Sequence, residues 1–447
     1  MDKKLKISLA AMSGVPLIMV LGNSMIIPVL PDIKEALKLT QFQVSLLITM
    51  FSVPAGLIIP LAGFLSDRFG RKIVIAPSLV LYGLGGIVAG LSALFLKEAA
   101  YGAILGGRVL QGIGAAGTAP IAMALSADIF TGKNRAKALG ILEATNGLGK
   151  VVSPILGSLV GLIAWFAPFL LFPLIVVPVV LGVWFLIKEP DGERKKEGPA
   201  EYIKSIKKIF AKKASTLLSA FLAGALVLMI LFGVLFFLSE HLEQTFGLDG
   251  VPKGAALAIP VLFMSITSFI TGTLIKKRFK LMKVLIVTGL SLITASLFAL
   301  PLSSNVYYFF TAISLSGVGA GLVLPCLNTI ITSSTDKDER GLVTSLYGSV
   351  RFLGVAFGPP VFGLLVGRGL KMMSWGPAAL TLLAAVLAFF FIEIKDLKKT
   401  GGEQKDQSGA GGTDRTAGPG PVIPGIQPAR KPVPAGDKKQ GGNGEDQ

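Results

Sequence analysis

One cysteine, Cys326, and one histidine, His241, are all that 447 residues offer of the side chains that most often hold transition metals. A lone cysteine excludes an intrachain disulfide, and with a lone histidine it falls short of the ligand sets of zinc or copper centres. His241 follows Glu240 near an apolar stretch and reads as an exposed loop histidine, with a pH sensor at a gate as the sharper alternative. Charge is scarce too: 15% of residues are charged, where a soluble domain carries roughly a quarter. Neither a phosphate-binding Gly-x-x-x-x-Gly-Lys-Ser/Thr loop nor a His-Glu-x-x-His helix is present, so two common enzyme signatures are missing. Tyrosine and tryptophan number six and three against 28 phenylalanines. The phenylalanines suit lipid contact and helix packing.

Apolar sequence is what the chain has most of. Hydrophobic residues make up 52%, and the mean hydropathy is +0.70. The charges cluster between apolar stretches of about 20 to 25 residues, the length that crosses a ~30 Å hydrocarbon core as helix. The expected class is an all-α membrane protein with spans near 8–30, 43–66, 73–95, 100–128, 137–162, 166–188, 215–239, 252–275, 282–302, 305–333, 341–366 and 372–393. The start, Met1 to Lys6 and then an apolar run, lacks a small-residue cleavage pattern and reads as a retained first helix. The net charge of +17 does not imply a nucleic-acid partner, because lysine and arginine fall between spans and in the tail, beside anionic lipid. Arg68, Arg71, Lys72, Lys133, Arg135, Lys137, the lysines from 188 to 213, Lys276 to Lys283, Lys337 and Arg340 all fall on one side. That bias places both termini in the cytoplasm and the chain in a bacterial-type cytoplasmic membrane.

The sequence divides into a six-helix bundle at 1–188, a cytoplasmic linker at 189–214, a second bundle at 215–393 and a tail at 394–447. The linker opens with Glu-Pro-Asp-Gly chemistry, and its stretch from Tyr202 to Phe210 alternates apolar and basic residues as a short helix on the inner membrane surface would. The tail has almost no large apolar side chains after residue 400 and is expected to be disordered. A shift of 205 residues superimposes Gly112-Ile-Gly-Ala on Gly317-Val-Gly-Ala, Pro120 on Pro325, Arg135 on Arg340 and Pro154 on Pro359. Two six-helix halves related by a parallel repeat produce such a register, with a substrate path between them.

The loop after the second span reads Gly63-Phe64-Leu65-Ser66-Asp67-Arg68-Phe69-Gly70-Arg71-Lys72. It resembles the major facilitator superfamily signature Gly-x-Leu-x-Asp-Arg-x-Gly-Arg-Lys at every fixed position. The resemblance spans about residues 8 to 393 and implies two six-helix halves, a monomer, and a loop that latches the cytoplasmic face. The corresponding loop of the second half, Gly272 to Lys280, keeps its basic residues but lacks the acid, so a weaker latch is expected there. Gly107 to Gly117 of the fourth span is similar to the family's Arg-x-x-Gln-Gly element, associated with proton-coupled exporters, and makes Arg108 and Gln111 candidates for coupling and for the cavity. The fifth span, Gly140 to Gly161, is similar to the family's antiporter motif through Gly149, Pro154 and Gly157, with Ser153 where the consensus has glycine. Ile27-Pro28-Val29-Leu30-Pro31-Asp32-Ile33 resembles the opening of drug and proton antiporters, and Asp32 fits either a path entry or a helix cap.

Read from the residues alone, Glu143, Asn146 and Lys150 share one face of the fifth span. An acid and a base inside a membrane are costly unless they pair or line a wet cavity. Glu143 is therefore the favoured proton carrier, its pKa raised by desolvation, with Arg108 and Asp32 as further coupling candidates. Asn23, Gln111, Asn146, Lys150, Asn328 and Arg351 are expected to line the cavity, and a purely structural role for the Glu143 and Lys150 pair stays open. Asp128, at the inner end of the fourth span, is ambiguous in the same way. The expected function is not enzymatic: it is proton-driven efflux of an amphiphilic small molecule, a drug or toxic compound first. Export of an endogenous anion such as a siderophore, or flipping of a lipid-linked molecule, is the alternative. No cofactor beyond the proton gradient is expected.

Overall fold

The computed structural model describes residues 3–190, 198–275, 278–303, 305–333 and 340–392. The 394–447 tail, the linker residues 191–197, and Lys276, Lys277 and Lys337 lie outside them. Regular structure among the described residues is helical throughout, without a strand. The first set of helices is α1 (Lys3–Ser24), α2 (Leu30–Ala36), α3 (Gln41–Phe69), α4 (Arg71–Leu96), α5 (Tyr101–Ala116), α6 (Ala119–Ile129), α7 (Gly132–Gly161) and α8 (Ala167–Leu181). The second is α9 (Pro199–Phe246), α10 (Gly250–Ile275), α11 (Phe279–Ala299), α12 (Val306–Ser333), α13 (Arg340–Val366) and α14 (Leu370–Phe391).

Ten segments of the described residues are long and apolar enough to cross a membrane. One of them, Arg71–Ile129, holds two passes, because α4 and α5 pack antiparallel: Gly85 faces Gly107, and Tyr82 faces Gly114. A further pass is α7, whose 30 residues reach about 45 Å but carry Glu143, Asn146 and Lys150 where composition alone would demand apolar side chains. The described residues thus supply the twelve expected passes. Two of these are broken helices. The first stops at Ser24, continues as a 3₁₀ turn at Ile27–Val29 and resumes at Leu30, where Pro28 and Pro31 lack the N–H groups a continuous helix needs. The fourth breaks at Gly117 and Thr118, just before Pro120, and the Thr118 hydroxyl donates to the Ala115 carbonyl at 2.6 Å.

The linker is shorter than expected. Its amphipathic stretch is not a separate helix: α9 runs for 48 residues from the linker into the seventh pass. No glycine or proline interrupts residues 200–223, so nothing breaks the helix where it meets the membrane. Pro199 opens α9, and the Glu201 carboxylate accepts the Gly198 N–H at 3.2 Å. The far end is closed by Gly247 at φ 60°, with its N–H on the Glu243 carbonyl at 3.1 Å.

The two sets repeat each other's contacts, and glycines make those contacts possible. A Cβ on Gly112 would sit 2.1 Å from the Phe51 carbonyl oxygen; on its repeat partner Gly317 it would sit 2.2 Å from that of Pro260. Gly85 meets the Gly107 carbonyl and Gly289 meets the Gly319 carbonyl in the same way, at 2.5 and 2.6 Å. Such small-residue contacts let helix backbones touch where lipid provides no hydrophobic drive for association. Between the sets, α3 lies along α13 and α7 along α10. Gly112→Ala is expected to lower stability by about 1–3 kcal/mol through overpacking. Gly106→Ala, with open space around it, should not. Thermal unfolding of the detergent-purified variants measures the difference.

Candidate functional site

The signature loop is a single residue. α3 ends at Phe69 and α4 starts at Arg71, so Gly70 alone turns the chain, at φ 114°, a conformation that L side chains rarely adopt. Around it the predicted residues form a charge network. The Arg71 guanidinium lies 3.4 Å from Asp67 and donates through Nε to Asp128 at the end of α6, which gives that ambiguous acid a role. Glu189, read from the sequence only as linker, accepts the backbone N–H groups of Arg71 at 2.7 Å and Lys72 at 3.0 Å. Its carboxylate thus caps the positive end of α4. Lys72 donates to the Ile187 carbonyl at 2.9 Å and stands over the Trp184 ring. Arg68 lies over the neighbouring Phe69 ring, 5.8 Å from its centre. Gly63 admits α13: a Cβ there would approach the Ser345 hydroxyl to 2.9 Å.

The opposite end of the bundle carries a second network, unforeseen from sequence except for Asp32. Lys34 on α2 pairs with Glu240 on α9, and the Ser239 hydroxyl donates to the Ile27 carbonyl at 2.7 Å. Nearby, Lys253 has its side chain only 2% exposed, with Glu243 at 2.7 Å and Asp249 at 3.1 Å. Asp32 lies within electrostatic reach of all three. The Gly250 N–H, at 2.6 Å, and Lys253 hold the Asp249 carboxyl below the usual carboxylate range. His241 is not a loop residue: it lies in α9, stacked on Phe237 and against Phe309 with ring centres 4.9 Å away in each case.

The antiporter-like motif packs α7 between α1 and α10. A Cβ on Gly157 would come within 1.9 Å of the Met25 carbonyl oxygen, and one on Gly149 within 3.0 Å of Leu17. On the other side, the Pro154 carbonyl abuts Gly254 of α10. Ser153, the departure from the motif, is fully buried with its hydroxyl on the Leu21 carbonyl at 3.4 Å.

Arg108 is a core arginine held through Nε and Nη1, with Nη2 buried and without a hydrogen-bond partner. It is fully buried, donates to the carbonyls of Leu47 at 2.8 Å and Gly22 at 3.0 Å and to Gln111 Oε1 at 2.8 Å, and lies over the Phe51 ring. Its oxygen partners come from neutral groups, which fits a brace across α1, α3 and α5. Glu143 is exposed on α7. Gly140 and Gly147, beside it on α7, face open space. Lys150 is partly buried and lies within electrostatic reach of Glu143 and of Arg351 on α13, but forms no ion pair with Glu143 within 4 Å. Oxygens Oδ1 of Asn23 and Asn146, Nε2 of Gln111, Nε of Arg351 and the Tyr347 hydroxyl are buried without hydrogen-bond partners. Asn328 is exposed on α12. A groove of about 640 Å³ between α4 and α8, lined by Pro77, Leu81 and Trp184 among others, includes none of these polar residues.

If Lys34 and Glu240 help hold the opposite end closed, Glu240→Gln will open it. A cysteine placed at residue 32 in a Cys326→Ser background is expected to react with a membrane-impermeant thiol reagent several-fold faster in that variant. An unchanged rate would show that the pair carries no closing energy.

A family model described as Major Facilitator Superfamily matches residues 12–350 and 279–435. The chain is 43% identical over 390 residues to the bacillibactin exporter of Bacillus subtilis (strain 168), covering 87% of this chain and 97% of that protein. It is 27% identical over 351 residues to a multidrug efflux protein of the same organism, with 77% and 83% covered. It is 25% identical over 381 residues to the class B tetracycline resistance protein of Escherichia coli, with 83% and 90% covered. Among solved structures it resembles an inward-facing, unoccupied bacterial homolog to the human lysosomal transporter Spinster, at TM-score 0.70 and 18% identity over 90% of this chain and 99% of that one. It also resembles a D-xylose-proton symporter, at TM-score 0.69 and 15% identity over 88% and 98%. With the signature loop, the twelve passes and the duplicated glycine contacts, these likenesses settle the family: the chain belongs to the Major Facilitator Superfamily.

Proposed function

We propose that the protein exports an amphiphilic small molecule across a cytoplasmic membrane by alternating access, with inward proton movement as the driving reaction. The observation that carries export is the likeness along nearly the whole length of a bacillibactin exporter. Its geometry is compatible: two packed sets of helices, ion pairs at both ends, and a polar face of α7 between α1 and α10. In this reading the end bearing Gly63, Asp67, Arg68, Gly70, Arg71 and Lys72 faces the cytoplasm, as its basic charge favours.

A siderophore-type anion is the substrate class favoured by Lys150 and Arg351. A membrane potential negative inside assists its exit, by about 2.3 kcal/mol per charge per 100 mV. Glu143, with open space beside it, is the proton-carrier candidate. Exchange requires proton and substrate to occupy the site in different orientations of the carrier. A second reading, efflux of varied drugs, is supported by the multidrug and tetracycline resistance relatives and by the Gly149, Pro154 and Gly157 motif.

Sealed vesicles carrying a pH gradient test the coupling with a panel of amphiphilic anions and lipophilic cations. Opposed substrate and proton fluxes are expected in the native protein, and Glu143→Gln should abolish the proton flux. Proton movement that survives in the variant removes Glu143 as the carrier, and transport indifferent to the pH gradient removes proton coupling.

A further inference from the structure

Buried and partly buried cations in this protein are met in different ways. Arg108 has three neutral oxygen acceptors, and Lys253 has two carboxylates within 3.1 Å and a third, Asp32, within electrostatic reach. Lys150 and Arg351 have nothing comparable. Among the described residues neither makes a hydrogen bond or an ion pair, and Arg351 rests only on the ring of Tyr347, one turn away on its own helix, 5.4 Å from the ring centre. They come from different sets of helices, α7 and α13, and each lies well inside its pass. They approach closely enough to repel each other, and Glu143, which attracts Lys150, stands outside ion-pair distance.

Two cations against one carboxylate leave a net positive charge within the membrane. That charge is costly unless a ligand or water meets it. The buried polar atoms there are also unmatched: Oδ1 of Asn146, a residue one turn from Lys150, and Nε of Arg351 itself. We infer that Lys150 and Arg351 together form the recognition site for an anionic oxygen group of the substrate, of the carboxylate class, with Asn146 hydrogen-bonding a neighbouring polar group. The inference rests on the export reading and narrows it. Because the two charges belong to different sets, an anion bridging them draws α7 toward α13, and release frees the sets to separate. A lipophilic cation would add to the repulsion already present.

The test uses the full-length protein in lipid nanodiscs, with 2,3-dihydroxybenzoate, its methyl ester and tetraphenylphosphonium as probes, read by calorimetry. Native protein is expected to bind the carboxylate at least about tenfold more tightly than the ester, a comparison that needs no variant. Lys150→Gln and Arg351→Gln should each erase that preference and leave tetraphenylphosphonium binding unweakened, and Lys150→Arg should retain part of it. Equal binding of acid and ester by the native protein overturns the site, as does an unchanged preference in both glutamine variants. Flux in sealed vesicles separates this from the broader reading. Outward transport of tetraphenylphosphonium without anion preference sinks the anion site and keeps export, whereas transport of none of the probes or of a wider amphiphile panel counts against export itself.

Discussion

A charge carried into a membrane has to be met by an opposite charge, a dipole or a ligand, and the way each charge here is met separates the parts of the protein. Arg108 is met by carbonyl oxygens of α1 and α3 and so fastens three helices of one set together. Arg71 is met by Asp67 and Asp128, and Lys253 by Glu243 and Asp249, at opposite ends of the bundle. Lys150 and Arg351, near mid-pass on α7 and α13, have no hydrogen bond or ion pair among the described residues, and Arg351 Nε is buried without a partner. Braces, end clasps and mid-pass cations are therefore distinguished by their partners, although all are built from the same two residue types.

Close helix packing holds these charges in place across the two sets. Within each set, glycine backbones touch backbone carbonyls, at Gly112 and Phe51 and again at Gly317 and Pro260, so each set is a tightly interlocked unit. Between the sets, glycines also meet their neighbours, Gly56 at Ser349 and Gly254 at Pro154, and polar contacts join Ser239 to Ile27, Thr49 to Ala356 at 2.8 Å, and Lys34 to Glu240. Ion pairs at the solvent-facing ends are worth little individually and exchange readily with water. That combination of interlocked sets and modest end clasps suits rocking of one set against the other.

Much of the fold was legible because it follows from local chemistry. Twelve apolar stretches of spanning length, a repeat at 205 residues and a dense loop motif are all properties of neighbouring residues or of a constant offset. Where local rules misled, a specific residue explains it. α9 absorbs the linker helix because nothing from residue 200 to 223 can stop it, and the first and fourth passes break where prolines withhold a donor. The site was less legible. Glu143, Asn146 and Lys150 do share a face of α7, as helical spacing requires, but spacing cannot say whether that face is dry, and Glu143 is exposed.

The sequence by itself determined that this is a helical membrane protein of duplicated design with a glycine-turned basic loop, since hydropathy, helix length and repeat register need no knowledge of what lies across the molecule. Only the tertiary structure decided which charges are spent on holding it together. Glu189 reaches the start of α4 from 118 residues away, Lys34 meets Glu240 across 206, and Arg108 finds carbonyls instead of an acid. These outcomes depend on which helix ends and side chains converge in space, and short-range spacing along a chain carries no such information.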